Sequence, residues 1–341
     1  MNATTRKLAF NVGILALIAS TAALLNSCKS VQSKPSPIKI DGSSTVFPIT
    51  DAIVKEYQKT QPNKVQVQVD ISGTGGGFKK FCAGKTDITN ASRPIRPEEM
   101  QACDKAQVRY IELPIAFDAL TVVVNHDNNW ASDITVAELK KLWEPAAEGK
   151  INSWQQIRSS WPDKPINLYG PGKDSGTFDY FTEATVGKAK ASRNDYTASE
   201  DDNALVEGVS KDPNALGYFG LTYYEANQNK LKAIAVNSGK GPVLPSRQTV
   251  EKIQYQPLTR PLFIYVNARS SQIKPGLRDF VAFYIQQAPT LVNSVGYIPL
   301  PAEGYHLSWI HFNNGKVGTV FDGKTELNLT IGELLRKQAK F

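Results

Sequence analysis

The stretch "VQVQVDISGTGGGFKKFC", Val65–Cys82, decides how this chain is read. Valine alternates with glutamine over five residues, the period of a strand with one buried face. Four glycines, a serine and a threonine follow within Ser72–Gly77. "GFKKFCAG" then places Phe78 and Phe81 on one face of a short helix. A strand that turns through glycines into a helix is the repeating joint of an α/β protein. It is also a place where backbone N–H groups gather, because the first turn of a helix leaves its amides without acceptors.

Working outward, the same joint recurs. "PIKIDG" (Pro37–Gly42) reads as a strand, followed by the helix "TVFPITDAIVKEYQKT" with Val46, Ile49, Ile53 and Tyr57 at helical spacing. "TDITNAS", "ALTVVVNH", "PINLYG", "NALGYFG" and "PLFIYVN" read as further strands. "TVAELKKLWE", "SGTFDYFTEAT", "DNALVEGVSKDP" and "PGLRDFVAFYIQQAP" read as helices, with Thr135 capping the first of them. This alternation predicts an α/β fold with a mostly parallel sheet. After Tyr305 the pattern changes, and a hairpin followed by a helix is expected over 306–341.

The 341 residues suit two domains. The mean hydropathy of −0.31 excludes a polytopic membrane protein. The amino terminus stands apart. Arg6 and Lys7 precede a charge-free apolar run ending in Leu25-Asn26-Ser27-Cys28. Residues 1–27 read as an export signal, with a retained single span as the alternative. Leu25 and Ser27 resemble a bacterial lipobox, in which Cys28 becomes the lipid-bearing first residue. Residues 28–37, rich in serine and proline, then form a tether. Outside the cytoplasm, Cys82 and Cys103 are expected to pair, two buried thiols being the alternative. Net charge is +7, about +5 without the signal. No basic run exceeds two residues, which argues against nucleic acid as a partner. Neither the cysteines nor His126, His306 and His311 have metal-ligand spacing, so no metal or cofactor is expected.

Three joints carry small polar residues: "GSST" (Gly42–Thr45), "SGTGGG" (Ser72–Gly77) and "DSGT" (Asp174–Thr177). Taken singly, the first is an N-cap and the second a loose turn. Together, at the carboxyl ends of strands, they describe an anion site built from helix N-termini, hydroxyls and close backbone. "NASRPI" adds Ser92 and Arg93, an arginine directed by Pro94 and able to grip an oxyanion bidentately. No Gly-x-Ser-x-Gly elbow and no nearby histidine suggests catalysis, and no catalytic residue is expected.

The order "DGSSTVFPI…SGTGGGF…DITNASRPI…PIAFDALTVVVN…GPGKDSGTFDYF…ALGYFG…PLFIYVN" resembles the phosphate-binding proteins of high-affinity phosphate ABC importers, over roughly residues 38–305. The resemblance implies the two-lobed periplasmic-binding-protein fold (type II), with "ALTVVVN" and "PLFIYVN" as two crossing hinge strands. Lobe I would be 38–121 plus 262–305, lobe II 122–261, and 306–341 an extension. It implies a lipid-anchored, periplasmic or cell-surface monomer that captures inorganic phosphate and delivers it to ABC permease subunits; the alternatives are a binder of another tetrahedral oxyanion (sulfate, arsenate or molybdate), a phosphate sensor or a phosphatase-like relative. The phosphate contacts it implies are Ser44, Thr45 and the Val46 backbone, then Thr74, Ser92 and Arg93, and Ser175, Gly176 and Thr177. One departure stands out. In the best-studied branch an aspartate occupies the Arg93 position, and an arginine stands where this chain has Pro171. Arg93 is therefore expected to supply the cation. Asp118 in "AFDAL" is expected to accept the anion's proton, with Asp174 as second choice or as the partner that orients Arg93.

Overall fold

Sixteen consecutive residues, Tyr110–Asn125, form one strand whose every residue is buried. That strand organises the protein. The computed structural model describes residues 36–61 and 65–341. The export signal, Cys28 and nearly all of the tether lie outside the described residues. Among the described residues no helix is long and apolar enough to cross a membrane.

The strands in chain order are β1 (Ile38–Gly42), β2 (Val67–Val69), β3 (Ile88–Ala91), β4 (Tyr110–Asn125), β5 (Asp133–Thr135), β6 (Asn167–Pro171), β7 (Thr197–Ser199), β8 (Ala215–Gly220), β9 (Leu231–Ala233), β10 (Ala235–Asn237), β11 (Pro242–Val243), β12 (Thr259–Asn267) and β13 (Ile298–Pro299). Ten form one sheet in the order β2-β1-β3-β12-β4-β8-β6-β7, with β13 and β9 also paired to β4. The other three, β11-β10-β5, form a small second sheet.

Residues Tyr110–Ala119 of β4 pair antiparallel with β12. Leu120–Val124 pair instead with β8. β4 thus changes partner from β12 to β8 between Ala119 and Leu120, two residues before the expected boundary between the lobes. The Leu120 amide donates to Leu258 O at 2.8 Å, where the returning chain crosses beside it. The outer pairs β1–β2, β1–β3, β6–β7 and β6–β8 are parallel, as expected. The centre is not: β12 runs antiparallel to both β3 and β4. A chain that crosses to a second lobe and returns must run back against its outward path. The mostly parallel expectation therefore holds only away from the hinge.

Helices cover the sheet, and two depart from expectation. The glycine run is not a turn. Gly73–Cys82 is helical, with Ser72 at the N-cap. Glycine disfavours helices by about 1 kcal/mol relative to alanine, so packing must decide. A Cβ on Gly77 would stand 2.6 Å from Gly42 Cα and 2.4 Å from Thr89 Oγ1. Only a bare backbone lets this helix lie against β1 and β3. After Tyr305 there is no hairpin: Ala302–Asn313 is one helix, and Ile331–Lys340 another. The 306 boundary falls inside the first of them.

Cys82 and Cys103 are joined, tying the Gly73–Cys82 helix to Pro97–Lys105. A closed loop of 21 residues restricts the unfolded chain, stabilising by about 3 kcal/mol.

Candidate anion-binding site

The three joints meet. Thr45, just before the Phe47–Thr60 helix, and Thr177, in the first turn of Gly176–Val186, have hydroxyl oxygens 3.1 Å apart. Thr74, in the first turn of Gly73–Cys82, has its hydroxyl 3.1 Å from that of Ser92 and accepts from the Ser92 amide. Ser175 caps its own helix, accepting from the Thr177 amide at 3.1 Å. Gly176 fits between the pairs. A Cβ there would stand 2.5 Å from both Thr74 Oγ1 and Ser92 Oγ. The Val46 amide points back to Ser43 Oγ at 3.4 Å. Each N-terminus carries about half a positive charge, and three face one small space.

Several bonds join the lobes. The Gly75 amide donates to Asp174 O at 2.7 Å. Gly73, at φ +71°, leaves room for the same carbonyl, which a Cβ would meet at 2.5 Å. The Tyr223 hydroxyl donates across to the carbonyl of Ser44, and within the first lobe Tyr297 donates to that of Thr45. The lobes are closed.

The cation at this junction is Arg260, which the sequence reading passed over. It is fully buried at the crossing of the lobes. Its Nη2 donates to Thr177 Oγ1 (2.8 Å), Thr45 Oγ1 (3.2 Å) and Asp118 Oδ2 (3.0 Å), and its Nε to Asp118 Oδ2 (3.3 Å). Its Nη1 is buried without a partner among the described residues. A charged donor left unpaired inside a protein carries a large penalty, and an anion would remove it. The signal was present: Thr259-Arg260-Pro261 repeats the Ser92-Arg93-Pro94 pattern. Arg260 stands one residue before the expected strand "PLFIYVN" and at the opening of the actual one.

Arg93 is placed differently from its expected role. Its Nη1 and Nη2 grip Glu99 at 2.8 and 2.7 Å, and its Nε donates to Asp179 Oδ2 at 2.7 Å. Arg96 adds a longer contact to Asp179 at 3.2 Å. Two arginines thus face two carboxylates, and no net positive charge remains for a ligand. Its work is mechanical, since Glu99 lies in the first lobe and Asp179 in the second. Asp174 does not orient it. That carboxylate takes Lys79 Nζ at 2.7 Å.

Asp118 sits at the site, in the crossing part of β4, beside Arg260. Burial pushes its carboxyl up, opposed by Arg260 and by the Ala119 and Leu221 amides. A second carboxylate, Asp202, opens the Asp202–Lys211 helix. It is buried, and Ser44 Oγ donates to it at 3.5 Å. Burial pushes it up to about 7, against the pull of Arg260 and with the help of Asp118 and Asp201. Asp202 is the first residue of the expected helix "DNALVEGVSKDP", and nothing in its local pattern separates it from an N-terminal helix aspartate.

Gly176→Ala is expected to weaken ligand binding about 10- to 100-fold, the equivalent of 1–3 kcal/mol of overpacking. Its new methyl meets Thr74 and Ser92 of the opposite lobe only on closure, so the ligand-free melting temperature should barely move. Titration and thermal unfolding of the same preparation check both halves.

A two-lobed α/β body, closed over facing helix N-termini and a buried arginine at its crossing strands, defines a class: an extracytoplasmic solute-binding protein. The family model described as "PBP superfamily domain" matches residues 25–288, and the chain belongs to that superfamily. The chain is 59% identical over 317 residues to protein SphX of Synechocystis sp., covering 93% of this chain and 94% of that one. It is 37% identical over 271 residues to phosphate-binding protein PstS of Staphylococcus saprophyticus, covering 79% and 82%. A solved possible phosphate binding protein from Planctomyces limnophilus superposes with a TM-score of 0.61 at 43% identity, over 83% of this chain and all of that one.

Proposed function

We propose that this chain captures inorganic phosphate outside the cytoplasm and delivers it to the permease of an ABC importer. The observation that carries the reading is Arg260: a buried guanidinium whose Nη1 has no partner among the described residues, bonded to Thr45 and Thr177 at two of the helix N-termini. The likeness to proteins named as phosphate-binding supplies the substrate. The ligand set is Ser44, Thr45, the Val46 backbone, Thr74, Ser92, Ser175, Gly176, Thr177 and Arg260, with Arg93 as a brace between the lobes. The hinge divides lobe I (38–121 and 262–305) from lobe II (122–261). Cleavage before Cys28 and its lipidation hold a monomer at the membrane surface, where the permease waits. It is a binder and not an enzyme.

Micromolar capture needs about −8 kcal/mol, within reach of a site with one buried cation and several fixed donors. Closure follows because the ligand touches both lobes only in the closed form, so its affinity differs between the two states. Release to the permease is the reverse step. Deleting the gene and measuring radiolabelled phosphate uptake tests the transport role. Uptake at low phosphate should fall, and unchanged uptake would exclude it.

The proton acceptor is a separate matter. An ionised carboxylate only accepts hydrogen bonds, so it favours an anion that still carries a proton. Asp118 already receives two Arg260 N–H groups and two amides. Asp202 receives one long bond from Ser44. We assign the acceptor to Asp202 and the balancing of Arg260 to Asp118. The sign for stability follows. A carboxyl raised in the folded state favours folding most below its unfolded value near 4. That advantage shrinks as pH climbs to about 7 and is then level. Asp202→Asn should therefore flatten the fall in ligand-free melting temperature between pH 4 and 7. It should also raise sulfate competition against phosphate about tenfold. An unaltered pH profile together with unaltered sulfate rejection returns the role to Asp118.

A further inference from the structure

The segment after Asn313 takes no part in the site, yet it is well tied down. Gly318 bridges Ile111 of β4, its amide donating to Tyr110 O at 2.9 Å. The Thr319 hydroxyl and the Val320 amide donate to the buried Glu112 carboxylate, at 2.5 and 3.2 Å. Tyr265 donates to the same carboxylate at 2.6 Å, and its oxygen accepts from the Ile95 amide at 2.9 Å. That places the anchor two hydrogen bonds from the loop that carries Arg93. Phe321 meets Phe263 edge-on, ring centres 5.5 Å apart. All of these partners belong to the first lobe.

A few residues on, the surroundings change. Phe321 and Leu329 are buried around a small space that also borders Arg93, Arg260 and Tyr180 of the Gly176–Val186 helix. Leu329 and Thr330 line a 240 Å³ cavity with Thr259, Val250 and Ile253. Asn328 faces Val136, Ser238 and Lys240 near the small sheet. Tyr180, Val250 and Ser238 belong to the second lobe. The segment therefore starts on one lobe, passes the hinge and ends against the other.

We propose that residues 317–330 form a strap that holds the closed state and so sets how fast the ligand is released. It adds contacts that exist in the closed arrangement and must be rearranged when the lobes part. A contact specific to one state shifts the equilibrium toward that state. Glu112 is the positioning residue that fixes the strap's near end, and Leu329 is its far contact. The proposal rests on the reading of the protein as a hinge-closing phosphate binder.

The test compares the full chain, a chain ending at Lys316, and Leu329→Ala, by stopped-flow phosphate release and calorimetric titration. Both variants should release phosphate about ten-fold faster, with little change in association rate. Release within two-fold of the full chain in both would overturn the strap. If the shortened chain does not fold, Leu329→Ala decides alone by the same threshold. If the full chain takes up no phosphate, the functional reading falls separately. The strap is then judged by small-angle scattering of the ligand-free proteins. A larger radius of gyration for the variants supports it, and equal radii overturn it.

Discussion

Arg260→Met is expected to abolish phosphate binding, weakening it at least about 1,000-fold, which is about 4 kcal/mol. Methionine keeps most of the length and the apolar stem, so the space stays filled. It removes the guanidinium whose Nη1 has no partner among the described residues, the donor that an anion would take. The same change leaves Asp118 buried without its partner, and breaking a buried pair from one side destabilises by about 3–5 kcal/mol. The two effects separate in the double variant Arg260→Met/Asp118→Asn. Folding stability should recover, because no uncompensated charge remains, while binding should not. Urea unfolding and calorimetry on both variants read this out. Binding by Arg260→Met within tenfold of the parent would mean that the cation is elsewhere.

Arg93→Ala is expected to act first on stability. Its guanidinium is fully buried, and it joins Glu99 and Asp179. Removing it leaves Asp179 with only the longer Arg96 contact, its other carboxylate oxygen having no partner among the described residues. A loss of about 3–5 kcal/mol in denaturant unfolding of the closed, phosphate-loaded protein follows. Because Asp179 lies across the cleft from Arg93, closure should also weaken. Asp179→Asn in the Arg93→Ala background should recover part of the stability, since contacting residues couple. A loss under about 1 kcal/mol would show that Arg96 alone can hold both carboxylates.

What the sequence made legible was local. Serine, threonine and glycine at a strand-to-helix joint have one physical meaning, and three such joints converged on one place. What it hid was contact between distant residues. Arg260 meets Asp118, Thr45 and Thr177, none within 80 positions of it. Nothing local distinguishes it from a strand-opening arginine. Arg93 looked like a free cation because its second partner, Asp179, is 86 residues away. The helix through Gly73–Gly77 ran against propensity, since close packing on Gly42 outweighed the cost of glycine. The antiparallel centre was invisible because a buried apolar strand does not state its direction. The expected hairpin after Tyr305 is absent because the chain there pairs with β4 and Glu112 instead of with itself.

The most direct test of the account is calorimetric titration of the full chain with phosphate and with sulfate, at pH 6 and pH 8. The account predicts one site per chain, micromolar or tighter for phosphate, and at least tenfold weaker for sulfate at pH 8, with the margin narrowing at pH 6, where Asp202 is largely protonated. Absence of phosphate heat with no thermal shift, or equal affinity for the two anions, would contradict it.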